Sequence, residues 1–296
     1  MTAWSSLLLI VLLIIAPGCN QEQPQGETLF RGEASIACDR EVARLIVPQL
    51  DSFVLHHEGA HVKLEITTAL EAMQQLLSGR VRAAIVARDY LPQEDSLLRA
   101  YSIEPHKRFL IATDAVVFVT AARSGLDTVS DEIIRRTLSG ERTWLAKYRW
   151  ALPNPSSSLA AHLRTIAGGA MRLAAFSVPS GDSALAAVRQ GKTDIGVALL
   201  SQFLQDKEAN PSLHAVRLVI RDTATGDRIA VAPHAATIVK KTYPYRVPIY
   251  GYLLETARNF PFGVIASIAQ EPRPQRAMLN AGIVPGYAKI QLVEPD

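Results

Sequence analysis

Short apolar runs that suit buried strands alternate with segments of helical period along most of the chain, and this alternation constrains the fold more than any other feature. Val62-Lys-Leu-Glu-Ile66 alternates apolar and polar residues, as a half-buried strand does. Thr68 to Ser78 has helical spacing, with Leu70, Met73, Leu76 and Leu77 on one face and Gly79 as its stop. Val81 to Ala87 reads as a buried strand. An earlier helical pattern starts at Asp39 and runs through Val42, Leu45, Ile46, Leu50, Phe53 and Val54, with Pro48 predicting a kink. The order β-α-β calls for a parallel sheet with crossover helices.

The alternation continues downstream. Ala115 to Ala121 is a strand, and Ser130 caps a helix with Asp131 and Glu132 at its start and Arg135 and Arg136 near its end, as the helix dipole favours. Strands are expected at 148–152, 173–178, 194–200, 229–231, 237–239, 245–254 and 289–293. Helices are expected at 159–167 and 182–190, with later ones broken at Pro272 and Pro274. The class is α/β throughout, without an internal repeat.

Leu7 to Ile15 is an unbroken apolar run. It is too short to span a bilayer, which takes about 20 residues, and suits the core of a signal peptide. Ala16-Pro17-Gly18-Cys19 follows and resembles the bacterial lipobox, although no Lys or Arg precedes the run and Ala16 stands where Leu is usual. That resemblance implies a signal peptide over 1–18, a lipid on Cys19 and a polar tether over 19–28. The expected location is the periplasm or cell surface, anchored to a membrane. With Cys19 acylated, Cys38 has no partner for a disulfide, so stability must come from an apolar core, which 48% hydrophobic residues can supply. A formal net charge of +3 supports no nucleic-acid partner.

Candidate binding groups lie where strands hand over to helices. In open parallel sheets ligands bind beyond the carboxyl ends of the strands, and helix starts there offer free N–H groups to anions. Four junctions fit: Cys38, Asp39 and Arg40; Thr67 and Thr68, with Glu71 at capping-box spacing; Arg88 and Asp89; and Ser156, Ser157 and Ser158. Each alone also reads as plain helix capping. Asp39 and Asp89 are the carboxylates there that could accept a hydrogen bond from an anion carrying a proton, which a fully ionised anion cannot offer.

Several segments resemble, in order, the phosphate-binding subunit of the phosphate ABC importer. They are Gly32-Glu-Ala-Ser-Ile-Ala-Cys-Asp39, Ala84-Ile-Val-Ala-Arg88-Asp-Tyr-Leu-Pro-Gln-Glu94, Asp114 to Val119 through Leu138 to Trp144, Ser156-Ser-Ser158, Asp194-Ile-Gly196-Val, Tyr243-Pro244-Tyr-Arg246 and Gln270 to Pro285. The resemblance implies a type II periplasmic-binding-protein fold, two lobes with a ligand cleft between them. Lobe 1 would span 29–115 plus 229–296 and lobe 2 would span 116–228. It implies a monomeric, non-enzymatic receptor without a cofactor that captures inorganic phosphate, or another small oxyanion, for the importer's membrane subunits. The ligand would be lined by Cys38, Asp39, Arg40, Thr67, Thr68, Arg88, Asp89 and Ser156 to Ser158. The serine loop departs from the family, reading Leu152-Pro-Asn-Pro-Ser-Ser-Ser158 without an arginine or glycines; Arg88 is the candidate replacement charge.

Two enzymatic alternatives are weaker. His57-Glu58-Gly59-Ala60-His61 is a literal zincin string, which on a helix would place two histidines on one zinc beside a general base. Gly59 and the strand pattern that follows argue against a helix there. Ser156, Ser157 or Ser158 as a hydrolase nucleophile lacks the Gly-x-Ser-x-Gly elbow. The aromatic pair Tyr243 and Tyr245 reads as packing.

Overall fold

The computed structural model describes residues 26–209, 211–222 and 225–287. The leader, Cys19, most of the tether and the strand expected at 289–293 lie outside the described residues. In the first part of the chain β1 (Gly32–Asp39), α1 (Ala43–His56), β2 (Ala60–Thr67), α2 (Ala69–Leu77) and β3 (Ala83–Val86) form a β-α-β-α-β unit that contains the expected β-α-β, with β1 pairing both β2 and β3 in parallel. The helix α3 (Pro92–Ala100) follows. Thr68 caps α2 by accepting the Glu71 N–H at 3.3 Å, and Gly79 ends the turn after it in the left-handed region, φ +71°.

Next comes β4 (Lys107–Ala121), 15 residues long, with Ala115 to Val119 at most 1% exposed. After it run β5 (Thr128–Ser130), α4 (Asp131–Leu138), β6 (Trp150–Pro153), α5 (Ser158–Ile166), β7 (Phe176–Val178), α6 (Gly181–Arg189), β8 (Ile195–Leu199) and α7 (Leu200–Ala209). The chain continues through β9 (Leu213–Ala215), β10 (Arg217–Arg221), β11 (Arg228–Val231), α8 (Ala235–Val239), β12 (Arg246–Leu253), α9 (Phe260–Gln270), α10 (Pro272–Asn280) and β13 (Val284–Pro285). The main sheet has the order β2-β1-β3-β12-β4-β8-β6-β7, with β9 and β13 also on β4, while β11-β10-β5 form a small second sheet.

The long β4 joins two regions of that sheet. Its first part, through Ala115, pairs with β12, and Val116 to Thr120 pair with β8, both antiparallel. The buried Asp114 stands at the changeover, accepting from Ala115 N at 2.7 Å and from Ser201 Oγ at 2.6 Å; burial pushes its carboxyl up to about 6. Beside it, Phe118 meets Trp150 and Tyr245 edge to face, each at 6.0 Å between centroids. Tyr243 donates to the Val116 carbonyl at 2.9 Å, so the Tyr-Pro-Tyr segment packs across the changeover.

The structure differs from the sequence expectation in a few elements. Residues 237–239 belong to the helix α8, not a strand, because His234 caps it through Nδ1 on the Ala236 N–H (3.1 Å) and Thr237 closes the box. The first helix starts at Ala43 after a turn and runs on through Pro48. Near the C-terminus the break falls at Glu271, with Pro272 opening α10 and Pro274 in its first turn, where backbone N–H groups have no helical partner anyway.

Candidate ligand-binding site

At the end of β1 the Asp39 side chain, 1% exposed, turns back onto the backbone. Its oxygens accept from Glu41 N at 3.2 Å and from Ala87 N at 3.3 Å, so it ties the ends of the neighbouring strands β1 and β3. Burial raises its pKa, opposed by the nearby Ser158 hydroxyl, those two N–H groups and the Arg88 charge. Ser158 Oγ, itself buried, has no partner at hydrogen-bonding geometry.

Two residues further on, the Glu41 side chain is 2% exposed and crosses to the other region of the sheet. There Oε2 accepts from Gly181 N at 2.9 Å, at the start of α6, and from Gln202 Nε2 at 3.0 Å on α7. Its other oxygen has no partner. Burial, then the Asp39 charge, pushes the Glu41 carboxyl up to about 8. Gly181 permits this approach, since a Cβ there would stand 2.2 Å from Gln202 Oε1.

Further contacts join the same two regions. The Leu70 N–H in the first turn of α2 donates to the Ser156 carbonyl at 3.0 Å. His162 Nε2 on α5 lies 2.8 Å from the Ala87 carbonyl, and burial lowers the pKa of this histidine, favouring a neutral ring that donates to that oxygen. Arg44 pairs with Asp182 at 2.9 Å on the more exposed side. Helix starts α2, α5 and α6 and the turn before α1 therefore meet around Asp39, Glu41 and Ser158.

The other expected site residues also make contacts within the fold. The Arg40 side chain is exposed, and its N–H bonds the Thr67 carbonyl at 2.8 Å. Cys38 is fully buried, its thiol directed at the Asp39 carbonyl and its pKa pushed up by burial. Thr67 donates to Glu71, which also engages Thr68. Ser157 caps α5 by accepting from Ala160 N at 3.1 Å. Arg88 is 3% exposed, but its guanidinium forks onto Glu94 at 2.6 and 2.7 Å, so its charge is answered within the fold. Asp89 faces away to Arg108 and the Tyr252 hydroxyl, lining a separate cavity of about 570 Å³ with Tyr90, Arg99 and His106.

Sequence reasoning missed Glu41, His162, Gly181 and Gln202. Only the pair of carboxylates flanking Arg40 before a helix signalled anything in advance. The zincin string falls on a turn: α1 ends at His56, residues 57–59 are bend and turn, and His61 lies in β2. His57 bonds the Phe53 carbonyl at 2.8 Å and stacks on Phe30, so the helical geometry needed for zinc hydrolysis is not present. Among the described residues no cluster of His, Cys, Asp and Glu suits a metal ion.

Solved structures share this fold. A protein from Clostridium perfringens, described as a phosphate ABC transporter substrate-binding protein with bound phosphate, superposes with TM-score 0.69 at 14% identity, covering 86% of this chain and 99% of its own. An ABC-type phosphate transport receptor from Vibrio cholerae gives 0.64 at 16%, covering 84% and 98%. The OxyR2 regulatory domain from Vibrio vulnificus gives 0.51 at 12%, covering 77% and 91%. Identities this low speak to fold alone, and the fold serves receptors and regulators alike. No curated protein matches the chain significantly. A family model described as PBP superfamily domain matches residues 23–267, more than half of the sequence, and the chain belongs to that superfamily.

Proposed function

We propose that this chain is an extracytoplasmic solute-binding protein that captures a small, proton-bearing oxyanion, hydrogen phosphate first, for an ABC importer. One observation carries the reading: the starts of α2 and α5, from the two regions of the sheet, meet beside the buried Asp39 and Ser158, and Glu41, two residues on from Asp39, reaches the start of α6. Helix starts supply N–H donors and positive potential to an anion, and a buried carboxylate accepts the proton that hydrogen phosphate carries and sulfate lacks. Phosphate bound to the Clostridium perfringens relative of the same fold supports the choice of ligand.

In this reading residues 29–115 with 229–296 form one lobe and 116–228 the other, with the changeover in β4 between them. Asp39, Ser157, Ser158 and the backbone of the loops at Thr68 and Ser156 line the seat. Arg88 acts one step removed, holding the Asp39 charge while bound to Glu94. Cys19 carries the lipid that keeps the receptor beside the importer's membrane subunits, and binding and release involve no catalysis. Calorimetry of the purified chain with phosphate, sulfate and molybdate tests the ligand. Micromolar or tighter phosphate binding with little sulfate heat is expected; a protein silent to phosphate is no phosphate receptor.

A further inference from the structure

Oxyanion capture does not call for a second buried carboxylate beside Asp39, yet Glu41 is there. Its Oε2 sits on the Gly181 N–H at 2.9 Å, the position at the head of the nine-residue helix α6 where an anion's oxygen would bind. The Gln202 amide holds the same oxygen at 3.0 Å. Among the buried polar atoms without partners, Glu41 Oε1 and Ser158 Oγ belong to this locus. A carboxylate presents acceptor oxygens to the N–H donors of a helix start, as phosphate or sulfate does. Unlike them, it is covalently supplied by the opposite region of the sheet.

We propose that Glu41 is an internal ligand, whose carboxylate fills the anion seat at the head of α6, latches the two regions together and must be displaced by an incoming oxyanion. The consequence for ligand binding rests on the oxyanion reading above; the latch itself rests only on the contacts of Glu41. The groups facing Glu41 make displacement depend on pH. Asp39 approaches from its own turn and Asp182 from α6, the latter paired with Arg44, while α7 contributes the neutral Gln202 amide. Both charged neighbours that act on it are carboxylates that raise its pKa, to about 8 with burial. An arriving oxyanion meets concentrated negative charge until Glu41 takes a proton. Affinity should therefore rise as pH falls through that range.

Two variants of the full chain separate the terms. Glu41→Ala removes the latch, and Glu41→Gln keeps an acceptor for Gly181 N while removing the charge. Phosphate affinity is measured by calorimetry near pH 6 and near pH 9, and hydrogen exchange of the Gly181 amide reads the latch with no ligand added. Glu41→Ala is expected to bind phosphate about tenfold or more tighter than the parent at the higher pH, to lose most of the pH dependence and to exchange Gly181 faster. Glu41→Gln should lose the pH dependence while Gly181 stays protected. If the parent binds phosphate and neither variant changes affinity, pH profile or exchange, the latch is wrong and the receptor reading stands. If no protein binds phosphate but Gly181 exchange rises in Glu41→Ala alone, the latch stands and the phosphate reading falls. Should the alanine variant not fold, an unaltered pH profile in Glu41→Gln still overturns the proposal.

Discussion

The Arg88 guanidinium is enclosed where β3 ends, 3% exposed, with its two terminal nitrogens on the Glu94 oxygens at 2.6 and 2.7 Å. Glu94 also accepts the Leu91 N–H at 2.7 Å, which closes the first turn of α3. Replacing Glu94 by Ala strips the charge partner from a guanidinium that cannot deprotonate and leaves the Leu91 donor open. Breaking a buried pair from one side costs about 3–5 kcal/mol, and the lost cap adds about 1 kcal/mol. Urea unfolding of the parent and Glu94→Ala, followed by fluorescence and by circular dichroism, measures the difference. The double replacement Arg88→Met with Glu94→Leu removes both charges and is expected to recover most of the loss, since apolar pairs of similar volume often replace buried ion pairs without cost. A loss below about 1 kcal/mol in Glu94→Ala, outside the range for a broken buried pair, would mean that Arg88 reaches water or another anion and is not held by Glu94.

Other perturbations test different parts of the structure. Asp114 and Glu41 bind a proton more tightly folded than unfolded, with carboxyls at about 6 and about 8, so folding gains as pH falls and their contribution is lost as pH rises through those values. Thermal or urea unfolding against pH should show stability falling from about pH 5 to about pH 8, with Glu41→Gln flattening the upper part of that range. Gly181→Ala forces a Cβ to 2.2 Å from Gln202 Oε1 and 3.0 Å from the Ala198 Cα, and should cost about 1–3 kcal/mol by chemical unfolding. Tyr243→Phe leaves the buried Val116 carbonyl without its 2.9 Å donor and should cost about 1–2 kcal/mol in the same assay.

The parts of the fold written locally were legible in the sequence. Thr68 with Glu71, the buried run before Arg88, and the strand from Ala115 each announce themselves within a few residues, because caps and strand patterns depend on near neighbours. The 237–239 segment misled for a related reason: three residues show no period, and the capping His234 decided the outcome. The site was less legible. Asp39 and Arg40 stood out at a strand-to-helix junction, but Glu41 was not singled out, because its contacts lie 140 and 161 residues away, at Gly181 and Gln202. His162 meets Ala87 across 75 residues and carried no local signal. Arg88 looked like a free cation because the helix that follows it, and with it the partner Glu94, was not singled out in the sequence. A capping position and a buried salt bridge use the same residue here, and composition cannot tell them apart.

A crystal structure of the protein grown with phosphate tests the central claim most directly. Phosphate is expected at the starts of α5 and α6, in contact with Ser158 Oγ and the Gly181 N–H, its hydroxyl donating to the Asp39 carboxylate, with Glu41 swung off Gly181. Phosphate bound elsewhere would contradict it, and Glu41 still seated on Gly181 beneath a ligand at full occupancy would contradict the latch alone.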